Sequence, residues 1–510
     1  MTEKEVQRQK MQDSLDAKKT QKERNLMGQF STPYPLAIDI MQYIHNIIGK
    51  NDVSFIEPSI GTGVFYSAFT EVFTSNVKQV LGFDIDPHYL EPAKSLWKGM
   101  PIELRCADFL TQQPDDLYDM LVANPPYVRH HYIDGEVKVR LQNAVFRQTG
   151  IKISGLAGLY CYFMMLSSVW LKEGGISCWL IPSEFMDVNY GKAVKSYLLN
   201  NVELLHIHRF DSDDLQFADA LVSSSVVVFR NTQPSLFNDV EFSFGGSLNE
   251  PKKIKKINVR KLKADVKWTP FFMEDTFVEN TQVTLGDFFI VKRGIATGDN
   301  GFFIIDKDIV DKYEIPLEFL RPVLPSPRYI KGNCINNDKG LPVVENPQFL
   351  FSCNLPENIL RERYPKVWEY ILLGYEKGVP KGYICSHRSP WYFCEEREPA
   401  SIVVPYMGRP ETKNRMFRFI LNTSKAITTN VYLLLYPRPQ FEHCMADKQM
   451  LTKVWHELNA IPIEVLSRNS RFYGGGLHKL EPSELMRTPV NGIASLLTQY
   501  MSFKQLSLFE

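Results

Sequence analysis

Four short runs in the first quarter of the chain, each predicted as a strand that leads into a polar residue, constrain the fold most strongly. The runs are 53–56, 80–83, 102–106 and 120–123, and the polar residues at their ends are Glu57, Asp84, Asp108 and Asn124. Because helical segments alternate with these runs, the pattern predicts an α/β, Rossmann-like core around a parallel sheet. Each polar residue alone could be a helix cap. Four at one sheet edge predict a ligand site, since ligands bind at the carboxyl ends of parallel strands.

The fourth run ends in Asn124-Pro125-Pro126-Tyr127. Two prolines cannot continue a strand, because each lacks an N–H group and has a fixed φ. The chain therefore turns out at the sheet edge and carries an amide, a rigid carbonyl and an aromatic ring with it. These groups suit a planar aminated ring such as adenine or cytosine and, less well, a glutamine amide. The alternative interpretation is a Pro-Pro turn followed by a packing tyrosine.

The first run leads into a glycine turn that contains Gly61 and Gly63. Glycines allow close backbone approach to a ligand, and the helix predicted to begin near Val64 directs its N-terminus at that ligand. Asp84 follows the turn by about 20 residues, where dinucleotide-binding folds have an acid for ribose hydroxyls. An ordinary strand–helix turn is the alternative for the glycines alone.

Further segments continue the alternation of helices and strands. Thr32 before Pro33 predicts a helix start, and apolar spacing predicts helices after it and over 159–171. The turn at 172–175 separates the second of these helices from a strand at 176–181. Strands are also predicted at 202–209 and 223–229. Because the connection at 211–221 is too short for a crossover helix, we expect this last pair to be antiparallel.

Composition indicates an ordered globular protein, with 44% hydrophobic residues and 12% aromatic residues. No apolar run approaches the ~18 residues of a membrane span. The first ten residues contain no apolar core of a signal peptide, so we expect a cytoplasmic protein without a membrane partner. The eight cysteines include no C-x-x-C pair. We therefore expect neither a zinc or other metal site nor disulfides.

The charge is asymmetric along the chain and favours a polyanion partner for the second half. Residues 1–230 contain 22 Lys and Arg against 27 Asp and Glu, whereas residues 231–510 contain 36 against 31. We predict a charged helix or tail at 1–27, a catalytic domain at 28–235, a lysine-rich junction at 236–270 and a mixed α+β domain at 271–510. The lysines are either a solvated face or phosphate contacts. For a nucleic-acid partner, the candidate base readers, meaning side chains that could contact base edges, are Arg293, Arg388, Arg409, Arg415 and Arg471, since arginine binds guanine edges.

The ordered motifs resemble a known family. GQFSTP, IEPSIGTGVF, GFDIDP, CADFL, NPPY, GLYCYFMMLSSVWLKEGG and ISCWLIPSEF follow one another between about residues 28 and 230. Together they resemble the gamma class of amino-methyltransferases, of which the TaqI-like adenine-N6 DNA methyltransferases of restriction–modification systems are the best match. VKRGIATGDNGFF at 291–303 and RFYGGGLHKLEPSEL at 471–485 resemble segments of their target-recognition regions.

The resemblance implies a Rossmann-like core that binds S-adenosylmethionine, followed by a domain that recognises double-stranded DNA. It implies base flipping, with Asn124 and the Pro125 carbonyl accepting from the target amine and Tyr127 stacking on the base. Phe217 would be a second aromatic residue against the target base, although it could equally be a core residue. A separately encoded endonuclease acting on the same site is implied where one exists. The cofactor residues implied by the resemblance are Thr32, Glu57, Ser59, Gly61, Gly63, Asp84, Asp108 and Phe109, with Pro126 nearby.

The sequence leaves three functions open. The first is site-specific adenine-N6 methylation of DNA, as the protective enzyme of a restriction–modification system. The second is methyl transfer by the same NPPY chemistry to a protein glutamine or an RNA base. The third is a DNA-binding module without catalysis, which would have no use for an intact cofactor turn. The large segment after the core favours a large, shaped substrate and hence the first function.

Overall fold

The computed structural model describes residues 1–50, 52–74, 78–211, 224–272, 283–409, 417–463, 465–466, 470–473 and 477–497. The chain divides into two compact units. The first comprises Met1–Thr276 with Phe472–Gly476, and the second comprises Phe277–Arg471 with Leu477–Glu510.

A nine-stranded mixed sheet forms the centre of the first unit. Its strands are β1 Ser54–Glu57, β2 Gln79–Asp84, β3 Glu103–Cys106, β4 Tyr118–Ala123, β5 Leu171–Pro182, β6 Glu203–Arg209, β7 Ser224–Arg230, β8 Asp239–Gly246 and β9 Pro251–Asn258. Their order is β3-β2-β1-β4-β5-β7-β6-β8-β9. The first five strands pair in parallel, whereas β7 is antiparallel to both β5 and β6.

Helices cover both faces of this sheet. The helices of this unit are α1 Glu3–Asp16, α2 Gln21–Met27, α3 Tyr34–Ile48, α4 Val64–Val72, α5 Pro87–Leu96, α6 Gly135–Thr149, α7 Leu159–Leu166 and α8 Gly191–Asn200, of which α3 to α8 pack on the sheet. Successive strand residues enter opposite cores, as the period of two requires. Phe55 of β1 belongs to the core formed with α3, α4 and α5, whereas the next residue, Ile56, belongs to the core formed with α6, α7 and α8.

The α/β fold predicted from the sequence is confirmed. The four predicted strands are β1 to β4, and their pairing brings their carboxyl ends to one edge of the sheet. The predicted antiparallel pair is also confirmed as β6 and β7. The connection between that pair contains Phe217, which lies outside the described residues.

The helix predicted over 159–171 and the turn predicted at 172–175 are wrong in their boundaries. Helix α7 ends at Leu166, a 3-10 turn covers Ser167–Trp170, and β5 already begins at Leu171. The glycines stay within the strand because Gly174 adopts a φ of 76° and the register to β4 shifts there. The Gly174 N–H donates to the Asn231 carbonyl, and the Asn231 N–H donates to the Gly175 carbonyl. This irregular pairing lets the strand pass through a sequence that is typical of a turn.

Two segments contribute more structure to the first unit than their composition indicates. Residues 1–27, predicted as a charged helix or tail, form the helices α1 and α2, and α1 buries Glu5, Arg8 and Leu15. The region 236–270 contains β8 and β9, which extend the sheet at its far edge. The sequence of β8 alternates apolar and polar residues, with Val240 and Phe242 buried, whereas the lysine-rich sequence of β9 lacks this alternation.

The second unit is mixed α and β, as predicted for the C-terminal part. Its core strands β10 Phe289–Arg293, β20 Tyr432–Pro437, β17 Ile402–Pro405, β19 Ile420–Asn422 and β13 Cys334–Ile335 form one sheet in that order. A smaller sheet contains β11 Ile304–Ile305, β16 Gln348–Phe351 and β12 Leu320–Val323. The other strands from residue 283 onward are β14 Asn337–Asp338, β15 Leu341–Pro342, β18 Met407–Gly408, β21 Arg471–Tyr473 and β22 Leu477–Lys479.

The helices after residue 283 are mostly short. They include α9 Leu285–Phe288, α10 Asn300–Phe303, α11 Lys307–Lys312, α12 Glu357–Arg363, α13 Pro365–Glu376, α14 Tyr383–Ser386, α15 Glu442–Ala446, α16 Lys448–Ala460 and α17 Pro482–Met486. Helix α13 packs into an aromatic core around Phe302 and Trp391. Among the described helices of the whole chain, none is long and apolar enough to cross a membrane.

Candidate active site

A cavity of about 470 Å³ opens at the carboxyl edge of the parallel strands in the first unit. This volume lies within the ~300–1,000 Å³ range of small-molecule sites. All four residues that end the predicted strands line it. The lining includes the predicted site residues Thr32, Glu57, Ser59, Gly61, Asp84, Asp108, Phe109, Asn124 and Pro126.

Neighbouring side chains fix the conformation of the glycine turn. Asp84 accepts hydrogen bonds from the Gly61 N–H and the Asp86 N–H, each at 2.8 Å. Gly63 adopts a φ of 89°, and a Cβ on it would lie 2.7 Å from the Trp97 indole nitrogen. Gly63 is thus required for backbone conformation and packing, while Asp84 fixes the turn in addition to lining the cavity.

Glu57 is a buried acid, only 1% exposed, at the end of β1. Its Oε2 has no hydrogen-bond partner among the described residues. Burial, and then the negative charge of Asp84, raise the pKa of the Glu57 carboxyl well above its usual value. An unpaired buried acceptor is costly, so this oxygen suits a ligand that brings an N–H donor into the cavity.

The far end of the cavity is apolar and lies beside the end of β3. Asp108 accepts from the Leu110 N–H at 3.0 Å and so caps the short 3-10 turn Phe109–Thr111. The Phe109 ring stacks on Phe163 with 5.8 Å between the ring centroids. This wall is therefore flat and preformed, and it suits an aromatic ring.

Asn124 has a fixed orientation in the cavity wall. Its Nδ2 donates to the Phe30 carbonyl at 2.9 Å and to the Thr32 hydroxyl at 3.0 Å. Because a carbonyl can only accept, the amide nitrogen must face Phe30, and the side-chain oxygen is turned the other way. The Ser59 hydroxyl donates to the Asn124 main-chain carbonyl at 2.9 Å. The orientation leaves Oδ1 as the acceptor that this residue can offer to a ligand.

The NPPY turn is clamped against the GQFSTP segment. The Tyr127 N–H donates to the Gly28 carbonyl at 3.0 Å. Gly28 adopts a φ of 65°, and a Cβ there would lie 2.4 Å from the Tyr127 nitrogen. Only glycine allows this approach. The two motifs are 96 residues apart, so their contact joins the start of the predicted catalytic domain to its centre.

The Tyr127 ring is more enclosed than a simple stacking platform. It is 9% exposed, its hydroxyl donates to the Leu180 carbonyl at 3.0 Å, and it packs against Phe30 with 5.5 Å between the ring centroids. Tyr127, Pro125 and Gly63 do not line the cavity itself. The role of Tyr127 in stacking on a base stays a prediction.

Residues of α1 complete the cavity, and the sequence gives little sign of them. Arg8, Gln12 and Asp16 all line it. The Arg8 guanidinium donates to the Thr62 hydroxyl in the glycine turn at 2.9 Å, and that hydroxyl donates to Gln12. A charged, glutamine-rich segment is typical of a solvated helix, so the only available signal was its position directly before GQFSTP.

The candidate base readers of the second unit differ in their contacts. Arg293 is exposed, donates to the Asn430 carbonyl at 3.1 Å and lies over the Tyr406 ring. Arg388 donates to the carbonyls of Ala296 and Thr297, each at 2.7 Å, so it supports a loop. Arg409 is exposed. Arg415 and the side chain of Arg471 lie outside the described residues. The role of all five arginines in reading bases stays a prediction.

No cluster of three or more His, Cys, Asp or Glu that could hold a metal ion occurs within the described ranges. The eight cysteines are all free thiols.

Two family models match the chain. The model of the Eco57I restriction-modification methylase matches residues 74–217, which include the strand ends Asp84, Asp108 and Asn124. The model of the C-terminal domain of the Type II methyltransferase M.Eco57I matches residues 267–508. The chain belongs to the restriction–modification methylases. The order of its motifs along the chain fits the gamma class of these enzymes.

This methylase resembles characterised proteins over nearly its whole length. It is 26% identical over 511 residues to the Type II methyltransferase M.AccI of Acinetobacter calcoaceticus, with 96% of this chain and 89% of that protein covered. It is also 26% identical to M.XamI of Xanthomonas campestris pv. amaranthicola, with 92% of this chain and 86% of that protein covered.

A solved structure shares the fold of the methylase. The Type IIL restriction-modification enzyme MmeI, determined in complex with DNA, is 11% identical. The match has a TM-score of 0.60 and covers 91% of this chain and 68% of that chain. At this identity the likeness concerns the fold alone, and it agrees with an α/β core followed by a C-terminal domain.

Proposed function

We propose that this methylase transfers a methyl group from S-adenosylmethionine to the N6 amine of a flipped-out adenine at a specific site in double-stranded DNA. The observation that carries the proposal is the orientation of Asn124. Its Nδ2 is bound by Phe30 and Thr32, so Oδ1 is available as an acceptor at the end of β4. Such an acceptor, beside a cofactor-sized cavity, matches the requirement of an exocyclic amine.

The residues of the cavity fit S-adenosylmethionine. The unpaired Glu57 Oε2 suits the ammonium of its amino-acid end, and the glycine turn with Ser59 suits close backbone contact. Asp84 has carboxylate oxygens for ribose hydroxyls, while Asp108 and Phe109 suit an adenine ring. When bound, S-adenosylmethionine supplies an electrophilic methyl group on a sulfonium, whose carbon–sulfur bond breaks on transfer, so that S-adenosylhomocysteine leaves and the methylated amine gives up a proton to solvent.

Asn124 and Pro125 act on the amine that receives the methyl group. The lone pair of an aromatic amine is delocalised into the ring, which makes it a poor nucleophile. Asn124 Oδ1 and the Pro125 carbonyl accept hydrogen bonds from its two N–H groups, which are drawn out of the ring plane, and the lone pair is then localised on nitrogen. This mechanism requires positioning and electrostatic stabilisation, without a covalent intermediate.

A base within a duplex cannot enter this site, so the adenine is flipped out at a cost of a few kcal/mol. Stacking on an aromatic ring is worth about 1–3 kcal/mol per base, which offsets much of that cost. We assign the stacking to Tyr127, with Phe217 as a second aromatic ring against the base.

The part of the chain from about residue 271 selects the DNA site in this proposal. In this arrangement the protein protects its site from a separately encoded endonuclease.

Parallel transfer reactions test the proposal. Tritiated S-adenosylmethionine is offered with double-stranded DNA, RNA and a protein extract, and labelled DNA is digested for nucleoside mass spectrometry. We expect the label in DNA, where mass spectrometry should identify it as N6-methyladenine. Long-read sequencing of genomic DNA should show the modification at one sequence motif. An Asn124→Ala variant is the negative control. Label in cytosine, RNA or glutamine would refute the assignment of the substrate.

A further inference from the structure

Arg8 is the only lysine or arginine among the described residues that line the cavity. The acidic lining residues include Asp16, Glu57, Asp84 and Asp108. Arg8 lies on α1 and is only 4% exposed. A buried ion pair adds little to stability, because desolvation of the charges offsets their attraction. A buried cation in the wall of an otherwise acidic cavity therefore indicates an anionic group on the ligand.

The guanidinium of Arg8 is held in place by two partners. Its Nε and Nη2 donate to the two carboxylate oxygens of Glu5 at 2.8 and 2.7 Å. Its Nη1 donates to the Thr62 hydroxyl at 2.9 Å. A guanidinium has five N–H groups, so one N–H on each terminal nitrogen remains for another acceptor. Two N–H donors of one guanidinium can bind both oxygens of a carboxylate.

Helix α1 itself is fixed on α5. Lys4 donates to the Leu96 carbonyl at 2.8 Å, and His88 donates to the Leu15 carbonyl at 3.0 Å. The Tyr89 hydroxyl donates to Asp16 at 2.8 Å. Contacts at the start and end of the helix hold Arg8 at the glycine turn, so the site is preorganised rather than assembled on binding.

Building on the proposed function, we propose that Arg8 binds the carboxylate at the amino-acid end of S-adenosylmethionine, which makes α1 part of the cofactor site. Thr62 joins Arg8 to the glycine turn directly after β1, and Glu57 ends β1. Arg8 and Glu57 are thus complementary to the two charges of the zwitterion. The adenine wall at Phe109 lies on a different strand end, so the cofactor extends along the sheet edge between them.

Two ligands that differ only at the amino-acid end test this assignment by calorimetry. S-adenosylhomocysteine carries the ammonium and the carboxylate, whereas 5′-methylthioadenosine carries neither. We expect Arg8→Gln to weaken binding of S-adenosylhomocysteine by about 10- to 100-fold, the range of a lost charged hydrogen bond. Binding of 5′-methylthioadenosine should change less than about threefold, because its contacts do not involve Arg8.

Three further variants separate binding from folding. Lys10→Gln removes an exposed charge from the same helix and should bind both ligands as the wild type does. The double variant Glu5→Gln/Arg8→Gln removes both members of the buried ion pair, so no unpaired charge stays buried and the protein should fold. It should bind S-adenosylhomocysteine more weakly than the wild type while its affinity for 5′-methylthioadenosine stays nearly unchanged. Arg8→Lys keeps the charge without the fork and should give an intermediate loss.

The outcomes distinguish this inference from the proposed function. An unchanged affinity for S-adenosylhomocysteine in folded Arg8→Gln, or an equal loss for both ligands, would overturn the assignment of Arg8 and leave the proposed function intact. If the wild-type protein bound neither ligand, the proposed function would fail and the assignment of Arg8 with it.

Discussion

The Thr32 hydroxyl lies 3.0 Å from the Asn124 amide nitrogen and accepts a hydrogen bond from it. The two residues are separated by 92 positions in the chain. Thr32 belongs to the GQFSTP segment and was predicted to line the cofactor pocket. Its contact gives it a second role, because it holds the Asn124 side chain, which we propose faces the target amine. The cofactor side and the target side of the site are therefore joined through this pair.

Asn124→Ala should abolish most methyl transfer while cofactor affinity stays near the wild-type value. Removing one preorganised acceptor costs on the order of 100-fold or more in rate. Single-turnover transfer to DNA measures the rate, and calorimetry with S-adenosylhomocysteine measures binding. Near-normal turnover by a folded variant would contradict the mechanism.

Thr32→Val should lower the transfer rate about 2- to 10-fold, since a neutral hydrogen bond is worth about 0.5–1.5 kcal/mol. The effect is smaller than that of Asn124→Ala because the Phe30 carbonyl still orients the amide. Thr452→Val, at a partly exposed threonine whose hydroxyl donates to the Lys448 carbonyl, is the matched control. A rate loss as large as that of Asn124→Ala would show that Thr32 does more than orient the amide.

Asp84→Ala should weaken cofactor binding by about 1.5–3 kcal/mol, the value of a hydrogen bond to a charged group. It should also lower the melting temperature, because Asp84 binds the Gly61 and Asp86 N–H groups. Asp84→Asn, which keeps an acceptor oxygen, should fall between the alanine variant and the wild type in both measurements. Unchanged cofactor affinity in a folded Asp84→Ala protein would refute the assignment.

The stability of the ligand-free protein should depend on the ionisation of Glu57. Its folded pKa is raised well above the ordinary value of 4.5. Protonated Glu57 therefore contributes to the free energy of unfolding. This contribution is fully present below the pKa of Glu57 in the unfolded chain, and it is lost as the pH rises through the pKa of Glu57 in the folded protein. Glu57→Gln mimics the neutral form, so its melting temperature should exceed the wild-type value more at pH 8 than at pH 5. The opposite trend would contradict the burial of an unpaired carboxyl.

The exposed lysines Lys256, Lys261 and Lys263 should contact phosphates without reading sequence. Changing all three to glutamine should weaken binding to every DNA alike. The slope of log affinity against log salt should also fall, by about 1 for each lysine that neutralises a phosphate in the wild-type complex. Lys10→Gln/Lys18→Gln, in the N-terminal segment, is the control. A selective effect on the correct site alone would argue against this role.

Arg409→Ala tests the reading of bases in the second unit. If the exposed guanidinium of Arg409 contacts a guanine edge, the change should cost about 1–3 kcal/mol on the correct site and relax specificity at one position. Methylome sequencing of expressing cells gives the motif. An unchanged motif with unchanged affinity would exclude Arg409 as a reader.

The sequence determined the fold class and the residues at the sheet edge, because the signals for both are local. The buried strands β1, β2 and β4 appear as short apolar runs, and the partly exposed β3 continues the same alternation of strands and helices. The carboxyl ends of such parallel strands meet at one edge of the sheet. Glu57, Asp84, Asp108 and Asn124 could therefore be assigned to one cavity before any contact was known. The NPPY turn could also be predicted from the sequence, because two prolines directly after a buried strand prevent that strand from continuing.

Only the tertiary structure decided which polar surfaces are buried. The charged helix α1 appeared solvated, yet Arg8 of this helix lines the cavity and donates to Thr62 in the glycine turn. The helix is held there in part by Lys4, which donates to the Leu96 carbonyl of α5. The strand β9 is lysine-rich, and its place in the sheet depends on pairing with β8 rather than on its own period. Tyr127 could be recognised as an aromatic ring beside the site, but its enclosure by Phe30 and the Leu180 carbonyl arises from long-range packing. Contacts between residues that are remote in sequence produce no periodic pattern along the chain. They therefore cannot be predicted from local sequence and are seen only in the folded protein.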